Sequence, residues 1–524
     1  MASAPAAGTS RRSLALRGGL WSAAGSILPA LGTAVLSVAA ARYLGSGPLG
    51  RQSLIAYVNA AAAATLLVSL RTAMLQLGGR LQGQGDVARL RVLERWALPA
   101  HVAAGVVVAA ILLLSAVASG QDSTAWSVIA VVSLVDAAAY GLSVRMILAE
   151  GWSAVGRMRL VSQLLGPVFG LVLLFLGFGI AGIFAGDGIA AIGLLVAMVV
   201  VTRRRRRAGV FADGEQHLTA RRRVVVRPPV PVLRAYALFA VSAVITQIVS
   251  KRVEFVVLAV FASDVAIGMY SVAFMAVNLI SMVPLGIATA ALPIIAAADG
   301  AGESAAAARH LTLALRIGSC LIVPLVALLA VLGPPAVLLV YGSDYATAAR
   351  LVPLASVSLL VTVVIGLCSQ YWAGRGKLGI VLGTGAIAAV ADIAVAVALV
   401  PPFGATGAVV ANLVGQVALA AGLLVATVRR LGPVGWRVGG LVRAGIVAGG
   451  CIAAVLVVEL AANVAFDNGS VRALVTLVVG GALAVPVGYR FATAFPLLDE
   501  AESAWLRPLV PGRARPILDR LTAA

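Results

Sequence analysis

Three ionisable side chains interrupt one of the most apolar stretches of the chain. In the run "VITQIVSKRVEFVVLAVF" (residues 244–261), Lys251, Arg252 and Glu254 fall within four positions. A charged side chain at the bilayer centre costs about 2.5–3.5 kcal/mol, so such residues normally face a bundle interior or a water-filled cavity. In a continuous helix, Gln247, Lys251 and Glu254 stand at i, i+4 and i+7 and share one face. The surplus positive charge predicts a binding site for an anionic group.

A second interpretation of the same run needs no ligand. Lys251 and Glu254 could neutralise each other as a pair. Arg252 points about 100° away from Lys251 on a helix, and its long side chain could reach the outer headgroups. Three charges leave one cation over, however, and this surplus favours the first interpretation.

Other polar residues in apolar runs extend the predicted site. Asn412 and Gln416 form an i, i+4 pair that is predicted to line the same central cavity. A carboxylate inside a span can carry a coupling proton, and the candidates are Asp136, Glu254 and Asp392. Each of them could instead pair with an arginine. Five arginines at predicted span ends are candidates for the cavity mouths: Arg71 and Arg145 at the inner mouth, where snorkelling is the simpler account, and Arg42, Arg51 and Arg350 at the outer mouth.

The composition places these residues in a membrane protein. Apolar residues make up 61% of the 524 positions, charged residues only 11%, and the mean hydropathy is +1.03. The apolar residues form runs of about 20, the length that crosses roughly 30 Å of hydrocarbon. The net charge of +20 does not indicate nucleic-acid binding, because the positive residues concentrate in alternate loops. The sequence therefore predicts a multi-pass membrane protein, with no metal site and no nucleic-acid partner.

About fourteen spans can be located in the sequence, and the loops between them give the orientation. Connections after even-numbered spans are rich in arginine, whereas connections after odd-numbered spans hold few cations. By the positive-inside rule, both termini and the arginine-rich loops are cytoplasmic. The predicted spans cover residues 18–41, 53–72, 96–118, 125–149, 160–178, 181–202, 235–262, 266–293, 312–340, 348–372, 378–400, 404–428, 438–460 and 471–492.

An internal repeat divides these spans into two lobes. "YLGSGPLGRQSL" (43–54) is similar to "FASDVAIGMYSV" (261–272), and two further pairs of segments match in the same order; low complexity is the alternative explanation. Six spans in each half give repeats related by an axis along the membrane normal. We expect an all-α polytopic fold with two pseudo-symmetric six-helix lobes and a central cleft. The segments are an N-lobe (14–202), a basic cytoplasmic loop (203–234), a C-lobe (235–428), two extra C-terminal helices (435–492) and a cytoplasmic tail (493–524).

Several loose motifs resemble those of a known transporter family. "AARYLGSGPLGRQSL" follows the first span, and "LRTAMLQLGGR" ends the second. "VEFVVLAVFASDVAIGMYSVAF", "VYGSDYATAARLVPLAS" and "PPFGATGAVVANLVGQ" lie in the second half. Over about residues 14–428, the chain resembles the prokaryotic polysaccharide flippases of the multidrug/oligosaccharidyl-lipid/polysaccharide exporter superfamily. The motifs are glycine and aromatic positions, so they identify the superfamily more specifically than the substrate.

The resemblance implies a flippase of the bacterial plasma membrane that works by alternating access. Its cargo would be an undecaprenyl-pyrophosphate-linked oligosaccharide, moved from the cytoplasmic to the outer leaflet for export of a cell-surface polysaccharide. A lipid II flippase and a multidrug exporter of the same superfamily are the alternatives. Both usually carry charged residues in the first span, and the span "GGLWSAAGSILPALGTAVLSVAAA" has none.

Enzyme functions find little support in the sequence. The phosphate-binding pattern GxxxxGK[ST] does not occur. A membrane glycan polymerase or ligase would need a sizeable outer loop, and every predicted outer connection is short. We therefore expect a transporter that acts as a monomer without a cofactor, with a proton or sodium gradient as the candidate energy source. Its expected partners are the glycan lipid, membrane lipids and, as candidates, glycan-assembly enzymes.

Overall fold

The described part of the chain is helical almost throughout. This computed structural model describes residues 28–120, 123–148, 152–207, 230–250, 252–282, 302–375, 377–431, 438–507 and 515–522. Within these ranges, β-structure is limited to an isolated bridge between Leu498 and Thr522. A helix satisfies its backbone N–H and C=O groups within one segment, which is what an apolar sequence requires in hydrocarbon.

The described residues divide into two compact units, the N-terminal unit up to Ser250 and the C-terminal unit from Arg252 onwards. In the N-terminal unit, Asp86 accepts a hydrogen bond from Arg89 N and starts the third helix, and left-handed Gly120 (φ 60°) ends it. The described helices of this unit are α1 (Leu28–Leu44), α2 (Ser46–Gly83), α3 (Val87–Ser119), α4 (Ser123–Leu148), α5 (Trp152–Leu173), α6 (Gly179–Arg207) and α7 (Val230–Val249).

Helices α5 and α6 form a tight hairpin. The apolar segment Ser153–Arg204 has 52 residues, which as one straight helix would be about 78 Å long. It turns back at Gly177 (φ 90°) and Gly179 (φ 57°), a backbone conformation that glycine adopts without strain. A Cβ atom on Gly186 would lie only 2.5 Å from Gly170 Cα, so glycine at both positions allows the two helices to touch.

Helix α7 packs within the N-terminal unit. The predicted start of the C-lobe at residue 235 lies inside this helix and stays a prediction. Val232 of α7 is buried in one core with Leu70 and Met74 of α2. The Tyr57 hydroxyl, also on α2, donates a hydrogen bond to Gln247 O at 3.1 Å. Packing against α2 therefore decides the position of α7.

In the C-terminal unit, two side chains cap helices. Ser263 accepts a hydrogen bond from Ala266 N, and Asn468 accepts from Ser470 N and Val471 N. The described helices of this unit are α8 (Glu254–Phe261), α9 (Asp264–Ile280), α10 (Ser304–Tyr341), α11 (Ala346–Ser356), α12 (Ser358–Gly374), α13 (Leu378–Phe403), α14 (Ala405–Leu431), α15 (Val438–Ala465), α16 (Gly469–Ala494), α17 (Glu500–Leu506) and α18 (Arg515–Arg520).

The helices have the length and surface of membrane spans. Among the described residues, ten are long and apolar enough to cross a membrane, or eleven if the bent pair Ser343–Ser356 and Ser358–Trp372 is one span. Large apolar side chains point outward, with Val117 82% and Val464 85% exposed. Such surfaces belong in lipid. The chain is an all-helical, multi-pass protein of the cell membrane, as the sequence predicts. The count of fourteen spans and the cytoplasmic side of the termini stay predictions.

The seventh predicted span is not one continuous helix, and this prediction was wrong. Helix α7 ends at Val249, and α8 begins at Glu254. Between them Arg252 adopts a left-handed conformation (φ 73°), which costs about 1–2 kcal/mol for a residue with a side chain. Gln247 and Glu254 therefore do not share the face of one helix. Lys251 lies outside the described residues.

Candidate functional site

Two arginines meet on one tyrosine ring in the N-terminal unit. The guanidinium of Arg159, on α5, lies 4.2 Å from the centroid of the Tyr140 ring, on α4. The guanidinium of Arg71, on α2, lies 5.8 Å from the same centroid. Cations are attracted to the face of an aromatic ring, so Tyr140 offsets part of the repulsion between the two arginines. We call Arg71, Tyr140 and Arg159 the tyrosine–arginine cluster.

The surroundings of the tyrosine–arginine cluster leave both arginines able to bind an anion. The Nε atoms of Arg71 and Arg159 are buried and have no hydrogen-bond partner among the described residues. Asp136, one helical turn before Tyr140, interacts electrostatically with Arg159 and also with Asp187 of α6. His101 of α3 is fully buried nearby, and its Nδ1 lies 2.6 Å from Ala97 O. Guanidinium groups are well suited to phosphate, which they bind through two parallel hydrogen bonds.

Two acidic residues meet in the core of the C-terminal unit. Glu254 at the start of α8 and Asp392 on α13 are both completely buried, and their carboxyl groups interact directly. None of their four carboxyl oxygens has a well-formed hydrogen bond among the described residues. Gly415 of α14 makes room for Asp392, because a Cβ atom there would lie 2.7 Å from Asp392 Cβ and 2.8 Å from Oδ2. We call Glu254 and Asp392 the carboxyl pair.

Polar groups from α9 and α14 surround the carboxyl pair. The Asn412 side chain lies beside Glu254 and accepts a hydrogen bond from Gln416 Nε2 at 2.7 Å. Tyr270 of α9, also fully buried, interacts with Glu254. The structure thus brings together Glu254, Asn412 and Gln416, which the sequence analysis assigns to one cavity, and Asp392, which it names only as a candidate for proton coupling. Two buried carboxyl groups with an amide oxygen beside them can bind a proton or another small cation.

The side chain of Arg252 contacts two residues of α9. Its guanidinium lies 3.9 Å from the centroid of the Phe274 ring. Its Nη2 donates a hydrogen bond to Asn278 Oδ1 at 2.8 Å. Arg252 also interacts electrostatically with Glu254. These contacts explain how a left-handed arginine is tolerated at the break between α7 and α8.

The other predicted site residues lie at helix ends or on outer faces. Gln247 lies near the end of α7, and its backbone oxygen accepts the hydrogen bond from Tyr57. Arg350 on α11 is exposed, and its Nη2 lies 3.5 Å from Thr347 Oγ1. Arg42 closes α1, Arg51 lies in the first turns of α2, and Arg145 in the last turn of α4. The assignment of Arg42, Arg51, Arg145 and Arg350 to the cavity mouths stays a prediction.

The relationship to known proteins supports a transporter. The family described as "Lipid II flippase MurJ" matches residues 170–480, more than half of the chain. The chain belongs to this family. A solved structure described as "Lipid II flippase MurJ, inward closed conformation" has a TM-score of 0.65 at 13% identity, covering 92% of this chain and 99% of that one. No curated protein sequence matches the chain significantly.

Two further solved structures place this flippase-family member in a wider fold group. An inward-facing "multidrug resistance MATE family transporter of the MOP superfamily" has a TM-score of 0.55 at 17% identity, covering 76% of this chain and 94% of that one. The "eukaryotic MATE transporter AtDTX14" has a TM-score of 0.56 at 15% identity, and the match covers 90% of this chain and 99% of that one. Identities this low show a shared fold and say nothing of substrate. The superfamily predicted from the sequence is confirmed, while the polysaccharide-flippase branch is not.

Sequence reasoning missed three contributors to these clusters. By its charge, Arg159 counts only among the cations of a predicted cytoplasmic connection, although the structure places it on α5 beside Tyr140. Tyr270 and Asn278 stood in an apolar helix with no charged neighbour and attracted no functional interpretation. A signal was present, because Tyr270, Phe274 and Asn278 repeat at i, i+4 and i+8 and so share one face of α9. Which residue that face meets is decided only by the fold.

Proposed function

We propose that this protein is a flippase for an undecaprenyl-pyrophosphate-linked saccharide, which it moves from the cytoplasmic to the outer leaflet by alternating access. Membership in a family of lipid flippases supports the reaction class. The observation that carries the proposal is the tyrosine–arginine cluster, because two guanidiniums with unpaired Nε atoms match the charge of a pyrophosphate. Moving a polar head through hydrocarbon requires such a replacement for its hydration shell.

Lipid II, the cargo that the family description names, is the first candidate. An oligosaccharide for a cell-surface polysaccharide is the second, and one specific observation favours it. Helix α1 carries a single ionisable cation, Arg42, and no carboxylate. The charged first span that is usual in lipid II flippases is therefore missing here. A multidrug exporter, the third member of this fold group, would normally carry a carboxylate in that span.

The carboxyl pair is the proposed coupling site. Two buried carboxylates in direct contact repel each other strongly unless a proton or another cation lies between them. Binding and release of that cation would change the contacts of α8, α13 and α14, which supply Glu254, Asp392 and Asn412. A proton or a sodium ion both fit this role, and the family does not decide between them.

The cargo can be identified by depleting the protein and analysing the lipids of the cells. Mass spectrometry of lipid extracts should show one undecaprenyl-pyrophosphate saccharide that accumulates, because it is still made and no longer moved. Accumulation of lipid II with loss of peptidoglycan synthesis would assign the first cargo. Accumulation of another oligosaccharide with loss of a surface glycan would assign the second. An unchanged lipid pool together with a changed sensitivity to amphiphilic compounds would contradict the flippase and favour a drug exporter.

A further inference from the structure

A cavity of about 250 Å³ lies in the C-terminal unit, where the chain returns after its last predicted span. Helix α10 supplies Arg316 to its wall, and α15 supplies Leu441 and Arg443. The segment after α16 supplies Leu497, Asp499 and Glu502. The cavity shares no residue with the tyrosine–arginine cluster or the carboxyl pair.

The C-terminal segment is fixed over this cavity by specific contacts. Trp505 Nε1 donates a hydrogen bond to His310 Nδ1 of α10 at 3.1 Å. Arg443 Nη1 donates to Pro496 O at 3.1 Å. Leu498 and Leu518 are 3% and 6% exposed and belong to one apolar core with residues of α10 and α15. The segment that the sequence analysis names as a tail (493–524) therefore packs, in its described residues, against α10 and α15.

Charges of both signs surround the cavity. Arg316 Nε is buried and has no hydrogen-bond partner among the described residues. Asp499 and Glu502 form a reciprocal cap of α17, in which Glu502 Oε2 accepts from Asp499 N at 3.0 Å and Asp499 Oδ1 accepts from Glu502 N at 2.7 Å. The cap keeps the Glu502 carboxylate in place at 5% exposure, with Oε1 as an acceptor for a further donor.

The predicted orientation places the cavity near the cytoplasmic lipid headgroups. Helix α15 begins at Val438 with a long apolar run, and Arg443 lies in its second turn. Trp505 is the kind of side chain that marks a membrane–water interface. The start of α10, the start of α15 and the tail all belong to the predicted cytoplasmic side.

We propose that this cavity binds a phosphoethanolamine headgroup, with its phosphate against Arg316 and Arg443 and its ammonium against Glu502. The two guanidiniums can donate hydrogen bonds to the oxygens of a phosphodiester. Leu441 and Leu497 supply apolar surface for the glycerol end. The volume is below the roughly 300–1,000 Å³ of pockets for drug-sized ligands, so it fits a headgroup and not a whole lipid. The bound headgroup would join the tail to α10 and α15.

Native mass spectrometry of the full-length protein in detergent tests this assignment. With added dioleoyl-phosphatidylethanolamine, one lipid should stay bound per chain, and Arg316→Gln should weaken its binding by at least tenfold. Arg309→Gln is the matched control, because Arg309 is exposed on the same helix and does not line the cavity. Equal binding by both variants would overturn the proposal. Phosphatidylglycerol should bind more weakly than phosphatidylethanolamine, and equal binding of the two would exclude the ammonium contact and overturn the headgroup assignment.

A second measurement needs no variant and separates the sources of the headgroup. The Cys320 thiol lines the cavity, so its alkylation by N-ethylmaleimide, read at peptide level, should slow when phosphatidylethanolamine is present. Protection by the lipid alone would assign a membrane ligand, and equal protection by soluble glycerophosphoethanolamine would assign the free headgroup. Unchanged alkylation with both probes would overturn the site even if Arg316→Gln failed to fold.

Discussion

Tyr140 keeps together two arginines that lie on different helices. Each cation–π contact contributes about 0.5–2 kcal/mol, enough to hold Arg159 at 4.2 Å and Arg71 at 5.8 Å from one ring. Two guanidiniums at such short range would otherwise repel each other. The arrangement is therefore suited to a ligand with two negative charges, which removes the remaining repulsion.

Replacing Arg159 should impair transport while the fold persists. A hydrogen bond to a charged group contributes about 1.5–3 kcal/mol, so Arg159→Gln should slow flipping of the lipid-linked cargo in proteoliposomes by roughly tenfold or more. Arg157→Gln removes the same charge from an exposed position two residues away and should flip cargo normally. Equal rates for the two variants would remove Arg159 from the binding site.

Replacing one member of the carboxyl pair should remove coupling. Asp392→Asn keeps the shape of the side chain and removes the negative charge beside Glu254. A coupling cation should then bind there more weakly, because one of the two carboxylates that attract it is gone. Flipping should then stop responding to an imposed pH or sodium gradient, measured in proteoliposomes with and without the gradient. Glu459→Gln changes a carboxyl on α15 of the same unit and should leave the response intact. A normal response of Asp392→Asn would exclude the carboxyl pair from coupling.

At the scale of elements, the break between α7 and α8 is the largest departure from the sequence pattern. No glycine or proline interrupts the run from Val244 to Phe261, so local propensity favours one helix. Two tertiary contacts of Arg252 oppose it, with the Phe274 ring and with the Asn278 side chain, and a local electrostatic interaction with Glu254 adds to them. Together they offset the strain of a left-handed residue and place Glu254 beside Asp392.

The break can be tested by comparing the stability of two variants, Arg252→Gly and Arg252→Ala. Both lose the arginine contacts, but alanine keeps the left-handed strain and glycine does not. Arg252→Gly should therefore be more stable than Arg252→Ala by about 1 kcal/mol, measured by thermal unfolding in detergent. At Arg350, inside helix α11, the order should reverse by about 1 kcal/mol because glycine disfavours a helix interior. If the alanine variant were the more stable one at position 252 as well as at position 350, Arg252 would be helical.

At the scale of the whole molecule, arginine distribution determines the predicted orientation. The cations concentrate in alternate connections, and the run "RRRRR" at 203–207 is the densest of them. The turn between α15 and α16, with Asp467 and Asn468, carries no cation. Positive segments are retained on the cytoplasmic side during insertion.

Reporter fusions check this orientation directly. A fluorescent protein after Ala524 should fluoresce, because it folds in the cytoplasm, and alkaline phosphatase inserted after Asp467 should be active outside. The same phosphatase inserted in the basic segment 203–234 is the matched control and should be inactive. Activity in the basic segment with inactivity at Asp467 would invert the predicted topology.

The class of this protein was determined by its sequence, because hydropathy and segment length act locally. Runs of about 20 apolar residues must form helices in a bilayer whatever their neighbours are. The cost of placing a charge or an amide in hydrocarbon likewise marks Glu254, Asp392 and Asn412 as candidates in the sequence alone.

Which of these groups meet was decided only by tertiary structure. Glu254 and Asp392 lie on helices far apart in the chain, and the close approach of α13 and α14 at Gly415 positions Asp392. Arg71 and Arg159 are also far apart in sequence, and Tyr140 joins them. The break at Arg252 is of the same kind, since long-range contacts there outweigh an uninterrupted local preference for helix. Periodicity along a chain reports which side chains share a face, and packing alone selects what that face contacts.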